Sequence, residues 1–473
     1  PPTYRALQGA DTVGMFQVES RAQMAALPRN RPTCFYDIVV QVAIIRPGPI
    51  AGNMMNPYMK RRRGLEPVTF YHPLLEPVLQ RTLGIPLFQE QLIRMAMIVA
   101  NFSGGEAEEL RRAVGMRRSM ARMKDLEGKL RHGMTANGIP AAAQDQIVQS
   151  ISSFALYGFP ESHAASFALI AYASAYLKCN YLAAFTAALL NNQPMGFYSP
   201  ATIVKDAQRH GLRVKPIDVQ NSEWHCTLEA EPGSEHRFAL RLGLNYARGL
   251  RREIAQALVA AREQKAFASV QDLALRVPEL RKNDLTLLAK IGALNSFGDV
   301  AHRRDALWQV EYAGRPAGPL LNPLPEESDE SPLLRMTDEE RLVADFAGTG
   351  LTAGPHPMAY HRTALRRRGI LSASQLRGVP NRAPVRIGGC VIARQRPSTA
   401  KGFVFLSLED ETGVSNAIIA PGVYEQFKRT VIYEKFLLIE GELQNQEDVI
   451  SVKARGIHPL QVSRAAARSH DFH

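Results

Sequence analysis

The chain has 473 residues, 45% hydrophobic and 22% charged. That balance excludes a disordered segment and supplies core for about three domains at ~150 residues each. Lys and Arg outnumber Asp and Glu by 57 to 45, so the net charge of +12 points to a polyanionic partner, nucleic acid before anionic membrane. Four scattered cysteines (Cys34, Cys179, Cys226, Cys390) form no CxxC pair and no metal spacing, and read as reduced thiols of a cytoplasmic protein. The most apolar run, Ala164 to Leu190, is broken by Ser, Tyr, Lys178 and Asn180, which fits a buried helix pair better than a membrane span.

Residues 1–213 carry helical periodicity. Apolar faces recur over Ala22–Leu27, Phe35–Ile44, Leu74–Gln80, Gln89–Val99, Gly105–Met116, Ala141–Ser153 and Ser162–Leu190. Pro/Gly turns such as Arg46-Pro47-Gly48-Pro49 and Tyr157-Gly158-Phe159-Pro160 separate them. Ser103 and Ser162 stand where N-caps are expected. Lys60, Arg61, Arg62 and Arg63 form a four-charge run, either solvated or touching a phosphate backbone without reading sequence. The sharpest charge asymmetry follows Glu106, Glu108 and Glu109: from Arg111 to Arg131, eight Arg or Lys face two Asp or Glu, a local net of +6. At 100° per residue, Arg111, Arg118 and Arg122 share one face of a continuous helix. Guanidiniums in a row suit phosphate oxygens, since each offers a planar fork of donors; a solvated face is the alternative.

Residues 214–310 open with strand-like pieces (Trp224–Leu228, His236–Leu240) and continue with GLNYARGL before an amphipathic helix. This is the outline of a helix-hairpin-helix, in which Gly243 and Gly249 let backbone N–H groups approach a DNA phosphate; an ordinary pair of helices fits as well. Residues 311–340 are Pro/Gly-rich and then acidic, a linker; 341–383 form a connecting helical segment. Residues 384–460 hold five strand-like runs with a short helix at Tyr424–Thr430, the outline of an OB-fold barrel. Phe403 and Phe405 alternate with Val404, so they share a face that either stacks bases or fills the barrel, with one of the two expected in the core. Residues 461–473 read as a tail. The expected fold class is therefore multidomain α+β: a mostly α-helical region followed by a C-terminal β-barrel. No P-loop, GxGxxG, nucleophile elbow or HExxH string occurs.

Five strings are more specific together than apart: DTVGMFQVES (Asp11–Ser20), RPGPI (Arg46–Ile50), GIPLFQEQLIRMA (Gly84–Ala96), ELRRAVG (Glu109–Gly115) and YGFPESHAASFALIAY (Tyr157–Tyr172). In this order and spacing they resemble the fingers region of the bacterial family C replicative polymerases, the DNA polymerase III alpha subunit. The resemblance covers nearly the whole chain. It implies fingers over 1–213, a hairpin-bearing DNA-binding region over 214–310 and an OB-fold over 384–460. The stretch 311–340 lacks the clamp-binding QxxLF-like peptide of the replicative members, and the chain ends soon after the barrel. Both features resemble a damage-induced subtype that acts with partner proteins in a mutasome, so contact with the sliding clamp is expected to be indirect.

The resemblance implies DNA-directed DNA synthesis across damage by the full-length enzyme, with primer–template DNA and an incoming dNTP as partners and no membrane. The family's ELRRAVG motif gives its paired arginines to the triphosphate, here Arg111 and Arg112, unless one of them is tied to Glu108 or Glu109. Tyr157 and His163 match the segment beside the nascent base pair, with capping or packing as the alternative for His163. Arg46 is expected to fix a phosphate or anchor its loop, and Glu90 to pair with an arginine. Expected DNA contacts are Arg118, Arg122, Lys60, Arg61, Arg62, Gly243, Gly249, Phe403 and Phe405. Family C enzymes hold two catalytic Mg²⁺ ions on palm aspartates in a PDIDVDF-like motif. No such string occurs here. No catalytic or metal-binding residue is therefore expected, and the chain, which begins Pro1-Pro2, reads as the fingers-to-OB portion of a longer enzyme. The alternative is a non-catalytic nucleic-acid-binding module built from the hairpin and the barrel.

Overall fold

The computed structural model describes residues 1–45, 55–115, 120–154, 159–233, 236–313, 331–397, 400–447, 449–462 and 469–472. They fall into two compact units, Pro1–Cys179 and Asn180–His473. Among them no helix is long and apolar enough to cross a membrane.

The first unit is helical: α1 (Pro2–Gln8), α2 (Arg21–Asn30), α3 (Phe35–Ile44), α4 (Met55–Arg62), α5 (Gln89–Ala100), α6 (Gly104–Gly115), α7 (Met120–Ala136), α8 (Ala141–Phe154) and α9 (Glu161–Asn180). Its core is continuous, from Val39, Val42 and Ile44 through Leu87, Phe88, Met95 and Val99 to Met134 and Ile147. Helix α3 is rich in β-branched residues, which disfavour helices; it forms because burial outweighs that small cost. Ser103 caps α6 as expected: the Glu106 N–H donates to Ser103 Oγ at 3.3 Å, and the Ser103 N–H donates to the Glu106 carboxylate at 2.9 Å. Ser162 is not a cap, because α9 already begins at Glu161, one residue after the turn-forming Pro160. The backbone of Arg111 lies in α6 and that of Arg122 in α7, while residues 116–119, with Arg118 among them, lie outside the described residues, as does the expected shared face.

The second unit opens with α10 (Leu182–Asn191) and α11 (Pro200–Arg209). Helix α10 packs on a three-stranded sheet of order β1-β3-β2, formed by β1 (Val214–Lys215), β2 (Thr227–Ala230) and β3 (Phe238–Arg241). This packing carries residues 180–213 with the hairpin region rather than with the first unit. Helices α12 (Arg252–Gln264), α13 (Val270–Arg276), α14 (Lys282–Lys290), α15 (Arg303–Ala313), α16 (Asp338–Gly348) and α17 (Arg362–Arg367) follow.

The barrel is closed by β4 (Pro384–Gln395), β5 (Val404–Asp410), β6 (Gly413–Ile419), β7 (Phe436–Gln446) and β8 (Val449–Pro459), with α18 (Pro421–Tyr433) between β6 and β7. Strand β4 pairs with both β5 and β7, β6 pairs with β8 in parallel, and the other pairs are antiparallel. That is the order of an OB-fold. Alternation sends Val404, Leu406 and Leu408 into the core. Phe403 and Phe405 are both half-exposed on the other face, so neither fills the barrel, contrary to the expectation for one of them. The expected tail also contains structure: β9 (His470–Phe472) pairs in parallel with Ala393–Gln395 of β4.

His356 is buried, with Nε2 3.9 Å from Glu409 Oε2 and within the electrostatic reach of Lys205, Arg209 and Arg362. Burial, reinforced by the three cations, pulls its pKa down to about 3. A depressed histidine adds stability above its unfolded value of about 6.5, and that stability is lost as pH falls from there toward 3. The melting temperature of the second unit should therefore drop over this window, and His356→Asn should make the drop shallower; parallel pH profiles would contradict this.

Candidate nucleotide and nucleic-acid site

Helix α9 is the element on which separate sequence motifs meet. Ala164, Ala168, Ala171 and Ala175 are buried along one stripe, and Lys178 continues it. Methyl groups at these spacings let neighbouring backbone lie close. At the C-terminal end, Lys178 Nζ donates to Asp11 Oδ1 at 3.1 Å and to the Val13 carbonyl at 3.1 Å. One turn earlier, Ser174 Oγ accepts the Phe16 N–H at 3.1 Å. The Asp11–Ser20 motif is thus tied to α9 by three bonds.

The N-terminal end is held by the Gly84–Ala96 motif. The Gln89 N–H donates to the Phe159 carbonyl at 3.1 Å. Glu90 Oε2 accepts the Glu161 N–H at 2.9 Å, meeting one of the otherwise orphaned donors of the first turn. Glu90 therefore caps a helix rather than pairing with an arginine as expected. The Glu161 carboxylate accepts the Tyr36 hydroxyl at 2.9 Å and lies 3.8 Å from Arg81 Nη1, whose guanidinium stacks 3.8 Å from the Tyr36 ring centroid. Burial, then the bond to Glu161, raises the Tyr36 pKa, so the phenol stays a donor at neutral pH.

These ties place a row of rings. Phe16 lies 5.2 Å from Phe167, Phe167 lies 4.1 Å from His163, and His163 lies 5.0 Å from Phe159, centroid to centroid. Phe16 and His163 are exposed, and Phe159 and Phe167 half-buried. A partly exposed aromatic row offers faces on which a base can stack. His163 is thus brought to an open edge beside aromatic neighbours. Sequence reading missed Phe16 and Phe167; the signal was present in their positions within two of the five strings.

Arg112 lies exposed on α6, with Nε donating to Glu108 at 3.2 Å, an i,i+4 pair that solvent leaves weak. The backbone of Arg111 lies in α6 and that of Arg122 in α7, while their side chains, together with Arg46, Arg118 and Tyr157, lie outside the described residues. The four-charge run is not uniformly solvated. Arg61 donates to the Leu83 carbonyl at 2.7 Å, the Thr69 carbonyl at 2.9 Å and Thr69 Oγ1 at 2.8 Å. Arg62 donates to Asp37 Oδ2 at 2.5 Å and to the Asn30 carbonyl at 3.3 Å. Lys60 reaches only the exposed Glu66 among the described groups, at 2.7 Å. Burial works against the Asp37 charge, but the Thr33 N–H and Arg62 outweigh it and hold the carboxyl below its usual range.

In the hairpin region the two glycines differ. Gly249 has φ +94° and is exposed, with open space where a side chain would stand. Gly243 is buried, and a Cβ there would meet the Trp224 carbonyl oxygen at 2.5 Å, so it serves close packing and not approach to a ligand.

Among the described residues, the carboxylates near α9 and α6 are already engaged by protein partners. Asp11 binds Lys178, Asp37 binds Arg62, Glu90 caps α9, Glu161 binds Tyr36, and Glu106 caps α6.

These features define a helical finger-like unit followed by a helix-hairpin-helix and an OB barrel, a class of nucleic-acid-binding assembly. Residues 1–138 match the family profile of the bacterial DNA polymerase III alpha subunit finger domain, 211–306 that of the helix-hairpin-helix motif, and 385–460 that of the OB-fold nucleic acid binding domain. Residues 1–138 are thus similar to the finger domain of the bacterial DNA polymerase III alpha subunit. It is similar to the error-prone DNA polymerase of Anaeromyxobacter sp. strain K, 47% identical over 479 residues, covering 100% of this chain and 42% of the relative. The error-prone DNA polymerase of Methylococcus capsulatus is 46% identical over 493 residues, covering 100% of this chain and 46% of the relative. Error-prone DNA polymerase 1 of Agrobacterium fabrum is 44% identical, covering 98% and 44%. The chain spans less than half the length of these relatives.

Arg62→Met strands the buried Asp37 carboxylate and should cost the first unit about 1–3 kcal/mol in urea unfolding, whereas Lys60→Met should cost less than about 0.5 kcal/mol. Equal midpoints for the two variants would show that Arg62 is not a structural brace.

Proposed function

We propose that this chain is the nucleotide- and DNA-handling portion of a template-directed, error-prone DNA polymerase that copies damaged DNA in the cytoplasm. The observation that carries the reading is the finger-domain match over 1–138, which spans α6 and its ELRRAVG motif. On this reading Arg111 and Arg112 grip the incoming dNTP triphosphate. Binding energy is then used to align the reacting phosphate and to stabilise the charge that develops on it. Arg112 is suited to this, because a weak exposed pair with Glu108 is easily exchanged for phosphate. His163 and Phe167 pack beside the nascent base pair with Phe16 and Phe159, and Tyr157 and Arg46 complete the nucleotide pocket.

DNA is held through phosphate by Lys60, Arg118 and Arg122, through the Gly249 turn, and on the OB face by Phe403 and Phe405. Arg61 and Arg62 support that surface from beneath. Mg²⁺ would be held by palm carboxylates of the longer enzyme and would supply charge stabilisation for nucleotidyl transfer there. Partner proteins of a mutasome link the enzyme to the sliding clamp.

Two outcomes test this reading. Primer–template affinity should fall steeply between 50 and 200 mM salt, by about tenfold or more, since phosphate-dominated binding releases counterions; a flat salt response would contradict it. In a polymerase that contains this chain, Arg111→Ala and Arg112→Ala should raise the dNTP KM or lower kcat by about tenfold or more, while primer–template affinity changes by less than threefold. Equal losses would assign these arginines to the DNA backbone instead.

A further inference from the structure

Within the second unit, a chain of buried polar contacts runs from the hairpin helices to the barrel. It begins at the hairpin. The Arg248 N–H donates to the Gly348 carbonyl at 2.8 Å, and Arg303 on α15 donates to Asp345 Oδ1 at 2.7 Å. Both contacts pin α16 to the hairpin region. Asp345 Oδ2 accepts Thr352 Oγ1 at 2.6 Å, which fixes the loop after α16. That loop is held by α11: Lys205 Nζ donates to the Thr352 carbonyl at 2.9 Å and also to the Gly354 carbonyl, and Gln208 Nε2 donates to the Ala353 carbonyl at 2.7 Å.

Four residues after Lys205, Arg209 Nη2 donates to Glu409 Oε1 at 2.9 Å. Thr202 Oγ1 reaches Glu409 Oε2 at 3.4 Å, and His356 Nε2 lies 3.9 Å from that oxygen. Glu409 is on β5 of the barrel, with its side chain only 3% exposed. The next residue, Asp410, accepts Arg362 at 3.1 Å and the Ala373 N–H at 2.8 Å. Arg362 also binds Glu411 at 2.9 Å.

A cluster of this kind is an expensive way to join two bodies. Each buried ion is costly to desolvate, so such pairs add little net stability compared with apolar packing. Their strength lies in geometry. The bonds are directional, and a small rotation leaves buried charges unpaired, which is costly. The cluster also grips the barrel at one end only. Strand β5 runs from Val404 to Asp410, so the gripped end is opposite the end that follows Phe403.

We propose that the Lys205–Arg209–Glu409 cluster is a positioning device that holds the OB barrel at a fixed angle to the hairpin helices, so that both engage one nucleic acid molecule together. The claim rests on the reading of hairpin and barrel as DNA-binding elements. Two weak grips held rigidly make the second binding event intramolecular, which raises overall affinity without adding a contact; a loosened joint loses that gain. Lys205, Arg209 and Glu409 touch no nucleic acid in this scheme.

The test uses the full chain with a fluorophore pair, one on the exposed face of α12 and one on α18, together with three DNA probes: a short duplex, a short single strand, and a duplex–single-strand junction long enough to span both elements. Wild type should give a narrow distance distribution and bind the junction more tightly than either short probe. Glu409→Gln and Lys205→Met should broaden the distribution and weaken junction binding about tenfold, with the short probes changed less than twofold. Lys205→Arg, which keeps the charge, should restore much of the junction affinity. Distributions as narrow as wild type in both variants overturn the device. Parallel losses on all three probes also overturn it, since they indicate general damage to the fold. A wild type that shows a narrow distribution but no preference for the junction refutes the DNA-binding reading and the positioning role with it, while leaving the rigid joint established.

Discussion

The alanine stripe of α9 is the constraint from which the first unit is built. Ala164, Ala168, Ala171 and Ala175 are all fully buried in the core of this unit, so a larger side chain at any of them would have to displace its neighbours. Close approach brings backbone within reach of backbone. The N–H of Gln89 meets the Phe159 carbonyl, and the carboxylate of Glu90 meets the first turn of α9. At the far end the same stripe buries Lys178, whose charge is answered by Asp11. Removing one member of such a pair leaves an uncompensated ion, so the two ends of α9 are fixed by opposite means: a capped dipole at the start and a neutralised cation near the finish.

The row from Phe16 to Phe159 is a consequence of this packing. Its four rings come from a loop after α1, the turn before α9 and the first two turns of α9 itself. None is adjacent to Phe16 in sequence, yet each neighbouring pair is within stacking distance. A wall of this sort accepts any base, because every base has a π face, and it is therefore suited to contact without sequence choice. In the function proposed above, the arginines of α6 meet the complementary requirement, charge for phosphate.

Much of the architecture was legible in the amino-acid order. Three-and-four spacing located α3, α5 and α8, and period-two alternation with intervening turns located the barrel, because those patterns report directly on which side of an element is buried. What stayed hidden depends on partners distant in sequence. Arg61 and Arg62 look like solvent-facing charges until Leu83, Thr69 and Asp37 arrive beside them. Glu409 sits at a strand position where alternation predicts an outward, wet carboxylate; it is dry because α11, two hundred residues earlier, covers it. Phe403 and Phe405 were open to two readings since a face shared by two rings does not say which face is the core; Val404, Leu406 and Leu408 decide it.

The central claim is that the finger unit receives a nucleotide while the hairpin and barrel hold DNA. The most direct measurement is photo-cross-linking with mass-spectrometric mapping, using a polymerase that contains this chain, primer–template DNA and a dNTP bearing a photoreactive base. Nucleotide cross-links are expected on peptides that contain Phe16, His163 or Phe167, dependent on the matching template base and lost on competition with unlabelled dNTP. Nucleotide cross-links confined to the hairpin and barrel peptides, or insensitive to the template base, would contradict it.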